Sequence, residues 1–325
     1  MYFGDTANGA RPVKVDVQYA GDTNWTPDLF TPAAMTRFAR AAEESGYAAL
    51  AFTDHPAPSV SWAKGGGEGS IDLFTALSFC AAVTSTIRLL TLVLVLPYRN
   101  PFLAAHQTAS LDAVSGGRLI VGTGTGYLRS EFHALGADFD NRREAFDEAV
   151  EVMRAAWAGG PVAFRGRRFE ARAVDPRPLP VQRPGPPLWI HGNSTWGRAR
   201  AARYGDGWMC FMADAKLSAT TRTAPVEDIR ALVDAIDDLR CRAADAGRDP
   251  KAIEVAVSGQ WPLLDVRRGW DSTRMRDQLA ELAEVGVDRV MAVVCGDDPG
   301  AAEDTVRRLG EEVVVPSAQN DATVN

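Results

Sequence analysis

Cysteine and histidine are both scarce in this chain of 325 residues, at four of each. The thiols, Cys80, Cys210, Cys241 and Cys295, are far apart and form neither a Cys-x-x-Cys pair nor a zinc-ligand spacing. Most of them sit in apolar segments, so they read as buried free thiols suited to a reducing cytoplasm. Basic residues are in deficit, with 35 Lys and Arg against 42 Asp and Glu and a net charge of −7. That balance excludes a broad basic face for nucleic acid or an anionic membrane. No apolar run approaches the roughly 18 residues of a membrane span. The longest strongly apolar stretch is 89–97. The first eleven residues lack the basic-then-apolar order of a signal peptide. What remains is a cytoplasmic protein whose partner is a small molecule.

What is present is an alternation of short β-branched runs with longer helical patterns. Residues 13–17 alternate with period two and predict a first strand. Thr31 supplies an N-cap, Pro32 a first helical residue and Gly46 a C-cap, which predicts a helix over 31–45. Strands are predicted at 47–52, 89–96, 118–122, 188–190, 207–211, 253–257 and 288–294. Helices are predicted at 71–83, 101–114, 142–157, 195–204, 226–246, 273–285 and 301–313. Residues 159–187, rich in Gly, Pro and Arg, interrupt this rhythm with a hairpin signal around Phe164 to Phe169. The alternation resumes at once, so the segment reads as an excursion within one domain of residues 1–315. The polar end, 316–325, reads as a disordered tail.

Eight strand–helix units in sequence imply parallel strands with right-handed crossovers. The predicted fold class is α/β, a single (β/α)8 TIM barrel with an insertion between unit four and strand five. About 250 residues suffice for such a barrel, and loops absorb the rest. An open doubly wound sheet is the rival, but it gathers its ligand site at one switch point. Here the chemically distinctive residues follow strand ends in several units, as at the C-terminal mouth of a barrel.

Phe52-Thr53-Asp54-His55 ends the second strand. An imidazole exchanges protons near neutral pH, so His55 is a candidate proton donor or acceptor, with Asp54 orienting it or binding ligand. A loop-capping Asp and a polar turn His explain the same letters. His106, in an apolar helix, and His133, in a loop, read as structural or solvent-exposed. His191, directly after strand five, is the better candidate. No metal site is expected, because metal-dependent barrel hydrolases carry His-x-His on a first strand that here reads Val15-Asp16-Val17. Gly122-Thr123-Gly124-Thr125-Gly126 follows strand four. It is a poor dinucleotide fingerprint, since Tyr127 occupies the place of the third glycine. Bare backbone there still admits a flat ligand. Gly192-Asn193-Ser194-Thr195 precedes a helix whose free N–H groups suit a phosphate, with Arg198 one turn on. Simple N-capping by Ser194 or Thr195 is the plain alternative. Gly65-Gly66-Gly67, near Trp62, marks either a lid over the mouth or a flexible loop.

Taken together and in order, these residues resemble the luciferase-like monooxygenase superfamily of flavin and deazaflavin enzymes. The match runs from Val13 to about Val313. It rests on Phe52-Thr53-Asp54-His55, on Arg99-Asn100-Pro101 through Ser115-Gly116-Gly117-Arg118-Leu119 to Gly122-Thr123-Gly124, on Trp189-Ile190-His191-Gly192-Asn193-Ser194, and on Gly205-Asp206-Gly207-Trp208. Within the superfamily the chain is most similar to the deazaflavin branch, whose members use coenzyme F420. The resemblance implies a dimeric barrel with Asp54 and His55 in the active site. It implies a non-prolyl cis peptide within Leu92, Val93, Leu94 and Val95, behind the cofactor ring. It places Gly124, Thr125, Gly126 and Tyr127 against ring and substrate, and Gly192, Asn193 and Ser194 on the cofactor phosphate. The sugar-phosphate dehydrogenases of this branch carry a catalytic Glu where this chain has Tyr127, and Glu131 comes one helical turn later. That departure speaks against a sugar-phosphate substrate. His191 stands where relatives often have a small residue.

The function so implied is hydride transfer between C5 of F420 and a small, uncharged organic substrate. His55 handles the proton with Asp54 oriented toward it, Tyr127 lines the substrate side, and Arg198 meets the anionic tail. Arg165, Arg167 and Arg168 are further cations, or simply a solvated surface. An FMN-dependent monooxygenase on the same barrel is the alternative, and a non-catalytic flavin-binding protein a third reading.

Overall fold

The computed structural model describes residues 11–21, 27–65, 67 and 69–319. The expected strands all form: β1 (Lys14–Gly21), β2 (Ala49–Phe52), β3 (Arg88–Thr91), β4 (Leu119–Gly124), β5 (Leu188–His191), β6 (Gly207–Phe211), β7 (Glu254–Ser258) and β8 (Arg289–Cys295). Every neighbouring pair is parallel. β1 lies between β2 and β8, and the order continues through β7, β6 and β5 to β4. β4 then pairs with β3, Leu89 opposite Leu119, and the sheet closes into an eight-stranded barrel. The helices between strands are α1 (Pro32–Glu44), α2 (Leu73–Val83), α3 (Pro101–Val114), α4 (Arg142–Ala158), α5 (Thr195–Tyr204), α6 (Ile229–Asp245), α7 (Ser272–Glu284) and α8 (Pro299–Leu309).

Local chemistry explains their ends. Thr31 caps α1 by accepting the Ala34 N–H, and Gly46 leaves the helix at φ +78°. Asn100 caps α3 through the Phe102 and Leu103 amides, with Pro101 as the first helical residue. The strands sort their side chains by alternation. One face of each strand packs beneath the helices, as with Leu50, Leu89, Val121, Ile190 and Val290. The other face fills the lumen with Ala49, Ala51, Leu90, Ile120, Trp189, Met209, Ala256 and Met291. Gly207 is required here, because a Cβ on it would lie 2.5 Å from the Trp189 ring.

Three features depart from the sequence reading. The third strand is not continuous over 89–96. It breaks after Thr91 and resumes at Leu94–Val95, while the Leu92–Val93 peptide between is cis, within the residues where the resemblance places one. β4 runs through Gly124, so the first three residues of the glycine segment belong to the strand and do not follow it. The last helix continues beyond α8 to Gln319, into the segment expected to be a disordered tail, and 320–325 lie outside the described residues. The excursion does form a hairpin, Val162–Arg165 against Glu170–Val174. Among the described residues no helix is long and apolar enough to cross a membrane. All four cysteines are free; Cys80 and Cys210 are buried, whereas Cys241 is exposed on α6.

Inside the lumen, Asp16 of β1 pairs with Arg289 of β8, Nε to Oδ2 at 2.9 Å. Both side chains are almost wholly buried, and the guanidinium also stands 5.2 Å from the Trp189 ring. Removing one partner leaves the other charge buried and unpaired. Asp16→Ala is expected to cost about 3–5 kcal/mol in urea unfolding, and Arg289→Met added to it to restore part of that loss. A cost below about 1 kcal/mol would show that the pair is not desolvated.

Candidate active site

The mouth is organised by a buried carboxylate. Asp54, directly after β2, accepts a 2.6 Å hydrogen bond from Arg99 and another from the Val95 amide at 3.3 Å. Tyr98 donates its hydroxyl to the Asp54 carbonyl oxygen. An acid with so little solvent must be matched by charge and donors. Its partners come from the end of the third strand, so the pair ties two neighbouring loops together. Among the described hydrogen bonds the Asp54 carboxylate makes none to the His55 ring.

The carboxylate beside His55 is Glu131. Its Oε2 lies 3.4 Å from His55 Nδ1, and its Oε1 accepts the Ala57 N–H. Glu131 sits on a short helix, Arg129–Ala134, and is buried. The His55 N–H is held by Ser70 Oγ at 2.8 Å. The imidazole packs against Trp62, ring centroids 4.6 Å apart, and meets Tyr127 edge-on at 5.8 Å. Trp62 belongs to a short helix, Val60–Lys64. Gly67 closes behind it so tightly that a Cβ there would lie 2.2 Å from the indole. Glycine at 67 therefore lets the loop press Trp62 onto His55; Gly66 is outside the described residues.

Around the break in the third strand, Leu92 and Val93 pack against the lumen cluster. Leu94 does not. It is buried in the outer core beneath the helices and is removed from the candidate ligand contacts. Gly124 faces Val93, and a Cβ on it would come within 2.8 Å of that side chain. Gly126, at φ +74°, fits between Val95 and Phe132. Thr125 and Tyr127 are half-buried beside it. His191 ends β5 two residues after Trp189, on the lumen-facing side. Its surroundings lower its pKa to about 4 by burial, so it is neutral near pH 7.

The loop before α5 is more structural than expected. Asn193 is fully buried. Its Nδ2 donates to the Phe211 and Ala224 carbonyl oxygens, its Oδ1 accepts from Phe211 N, and its own N–H goes to Thr223 Oγ1. No group of its side chain is left for a ligand. Arg198 is likewise engaged, by Asp238 and by the Asn193 carbonyl oxygen, both at 2.5 Å. Its Nε and Nη1 fix the loop. Ser194 caps α5 through the Gly197 amide. The Thr195 and Trp196 amides keep no acceptor among the described residues, and Gly192, at φ +128°, borders open space. Arg165, Arg167 and Arg168 are exposed on the hairpin, and His106 and His133 are exposed too.

These features fit a flat ring carrying an anionic tail. Gly124 leaves backbone bare beside Val93, and the Thr195 and Trp196 amides suit an anion. In the loop after β7, Gln260 donates to the Met291 carbonyl oxygen while its Oε1 is buried without a donor among the described residues, an acceptor suited to a ring N–H. No cluster of three metal-ligating side chains occurs among the described residues.

The model of the luciferase-like monooxygenase family matches residues 12–263. The chain belongs to that family. It is 32% identical over 188 residues to an F420-dependent glucose-6-phosphate dehydrogenase of Nocardia farcinica, covering 56% of this chain and 54% of that one. It is 26% identical over 226 residues to an FMNH2-dependent dimethylsulfone monooxygenase of Pseudomonas putida, covering 68% of this chain and 56% of that one. The chain thus spans little more than half the length of these curated relatives. The F420-dependent tetrahydromethanopterin reductase of Methanopyrus kandleri superposes with a TM-score of 0.70 at 18% identity, covering 95% of this chain and 99% of that one. At that identity the likeness shows the shared barrel fold.

Because the fold depresses the His191 pKa, the unfolded chain binds the extra proton first as pH falls. The stability this histidine contributes is present above about pH 6.5 and is lost as pH falls toward 4. His191→Gln should therefore flatten the acid limb of urea-unfolding stability between those values, by up to about 1.4 kcal/mol per pH unit. An unchanged limb would place the imidazole in water.

Proposed function

We propose that the chain is a coenzyme F420-dependent oxidoreductase that moves a hydride between C5 of the deazaflavin ring and a small uncharged organic substrate. The observation that carries this reading is the His55–Glu131 pair at the barrel mouth, 3.4 Å apart beneath Trp62. Moving a hydride to or from a carbon that bears oxygen leaves a proton to be placed or removed, and an imidazole beside a carboxylate can take up or release it. Glu131 accepts from His55 Nδ1–H, which keeps the proton on that nitrogen and leaves Nε2 for the substrate oxygen. Trp62 packs on the imidazole and limits its access to water. Tyr127, edge-on to His55, lines the substrate side. Val93, Leu92, Gly124, Thr125 and Gly126 would border the ring, Gln260 would offer its free Oε1 to a ring N–H, and the Thr195 and Trp196 amides with Gly192 and Ser194 would hold the phosphate. The bound deazaflavin supplies the two-electron hydride carrier. By the same family likeness we propose a homodimer.

The second reading is an FMN-dependent monooxygenase, favoured by the likeness to the dimethylsulfone enzyme. Titration of the protein with F420 and with FMN, followed by tryptophan fluorescence, separates the two. Saturable FMN binding with no F420 binding overturns the deazaflavin assignment.

His55→Ala should lower turnover of whichever alcohol or carbonyl compound changes the deazaflavin absorbance by about 10² or more, with F420 affinity near wild type. Glu131→Gln should lower it by about tenfold and move the pH–rate profile. Unchanged turnover in both variants removes the pair from the mechanism.

A further inference from the structure

The loop between β2 and α2 is tied to the barrel at few points. Its short helix, Val60–Lys64, has no buried residue, and no other helix or strand among the described residues is closely packed against it. Even its apolar Val60 is exposed. The hydrogen bonds described for this part of the loop close within it. Ser59 Oγ accepts the Trp62 N–H, the Ser59 carbonyl oxygen accepts from Ala63, and the Trp62 carbonyl oxygen accepts from Gly65 and Gly67. A segment so held opens locally at little cost, because few buried contacts are lost when it lifts.

One aromatic contact holds it down, the indole of Trp62 on the imidazole of His55, ring centroids 4.6 Å apart. The two roots of the loop end at the same pair of residues. Ala57 gives its N–H to Glu131 Oε1, and Ser70 Oγ accepts the His55 N–H at 2.8 Å. With the helix down, the His55 side chain is only 16% exposed, enclosed by Trp62, Tyr127 and Glu131. Such enclosure keeps a proton-transfer group dry and at the same time narrows the way in for a substrate. Gly67 sets the seat of the indole. A Cβ there would lie 2.2 Å from the Trp62 ring, and its backbone is not left-handed, so alanine is resisted at 67 by the indole alone.

We infer that the Val60–Lys64 helix is a lid over the barrel mouth, with Trp62 as its latch on His55 and Gly67 as the seat of that latch. It lifts to admit substrate and closes to shield the His55–Glu131 pair from water. This rests on His55 as the proton-handling residue, and not on which ring the site binds.

The test needs neither cofactor nor substrate. Diethyl pyrocarbonate modifies accessible imidazoles, and peptide mass spectrometry follows each of the four histidines separately in the folded protein. His106 and His133, both exposed, mark the fast limit, and His55 should react more slowly than either in wild type. Trp62→Ala should speed modification of His55 by about tenfold, as expected for the loss of one aromatic contact. Gly67→Ala keeps the indole but pushes it off its seat, and should act in the same direction. His106 and His133 should keep their rates in both variants. An unchanged His55 rate in both overturns the lid. Hydrogen exchange on the wild-type protein gives a second measurement. Amides of the Val60–Lys64 helix should exchange about 10²-fold or more faster than those of β2. A helix as protected as β2 also overturns the lid, since Trp62 is then a fixed wall. Unchanged turnover in His55→Ala would remove the proton-handling role while leaving these accessibility results as they are, so the two readings fail separately.

Discussion

The mouth of this barrel depends on one buried ion pair, Asp54 with Arg99. A carboxylate placed just past a central strand has lost most of its water and is stable only where donors replace it. Arg99, the Val95 amide and the Tyr98 hydroxyl do so, and all three lie on the segment that leaves the third strand. The loop after β2 is thereby locked to the loop after β3. His55, the next residue, cannot choose its direction freely. With Asp54 fixed and the His55 amide held by Ser70, its ring is delivered to Glu131, Tyr127 and Trp62. Asp54 positions the histidine through the backbone, with no contact to its ring among the described hydrogen bonds.

Much of the family signature turns out to be scaffold of this sort. Gly207 keeps bare the place that Trp189 fills in the lumen. Asp206 accepts the Leu188 amide, and Trp208 donates its indole N–H to Gly192. Arg118 donates to the carbonyl oxygens of Ala81, Thr84 and Ile87 and fastens the end of α2 to β4. Such residues shape the barrel and its mouth whichever ring lies there. The chain is similar both to an F420-dependent dehydrogenase and to an FMNH2-dependent monooxygenase.

The fold was legible because its signals are local. Thr31 with Pro32 and Asn100 with Pro101 announce helix starts, and α3, α5 and β6 fall where the sequence places them. Period-two and helical patterning need only a short window. The site was legible in its positions more than in its contacts. His55, Tyr127, the glycine segment and the α5 turn do gather at one end of the barrel. The pairings among them are long-range: Asp54 with Arg99 spans 45 residues, and His55 with Glu131 spans 76. No window contains both members, so adjacency suggested Asp54 as the partner of His55 when burial had assigned it elsewhere. Asn193 and Arg198 likewise reach partners distant in sequence, Phe211 and Asp238, that no short window contains.

The distribution of arginines carries the same logic to the charge of the mouth. A count of cations near α5 favours Arg198 and Arg200, both on that helix. Each is already matched, Arg198 by Asp238 and Arg200 by a bidentate contact with Asp147. A guanidinium held by a carboxylate in a half-buried setting adds little field for a third party.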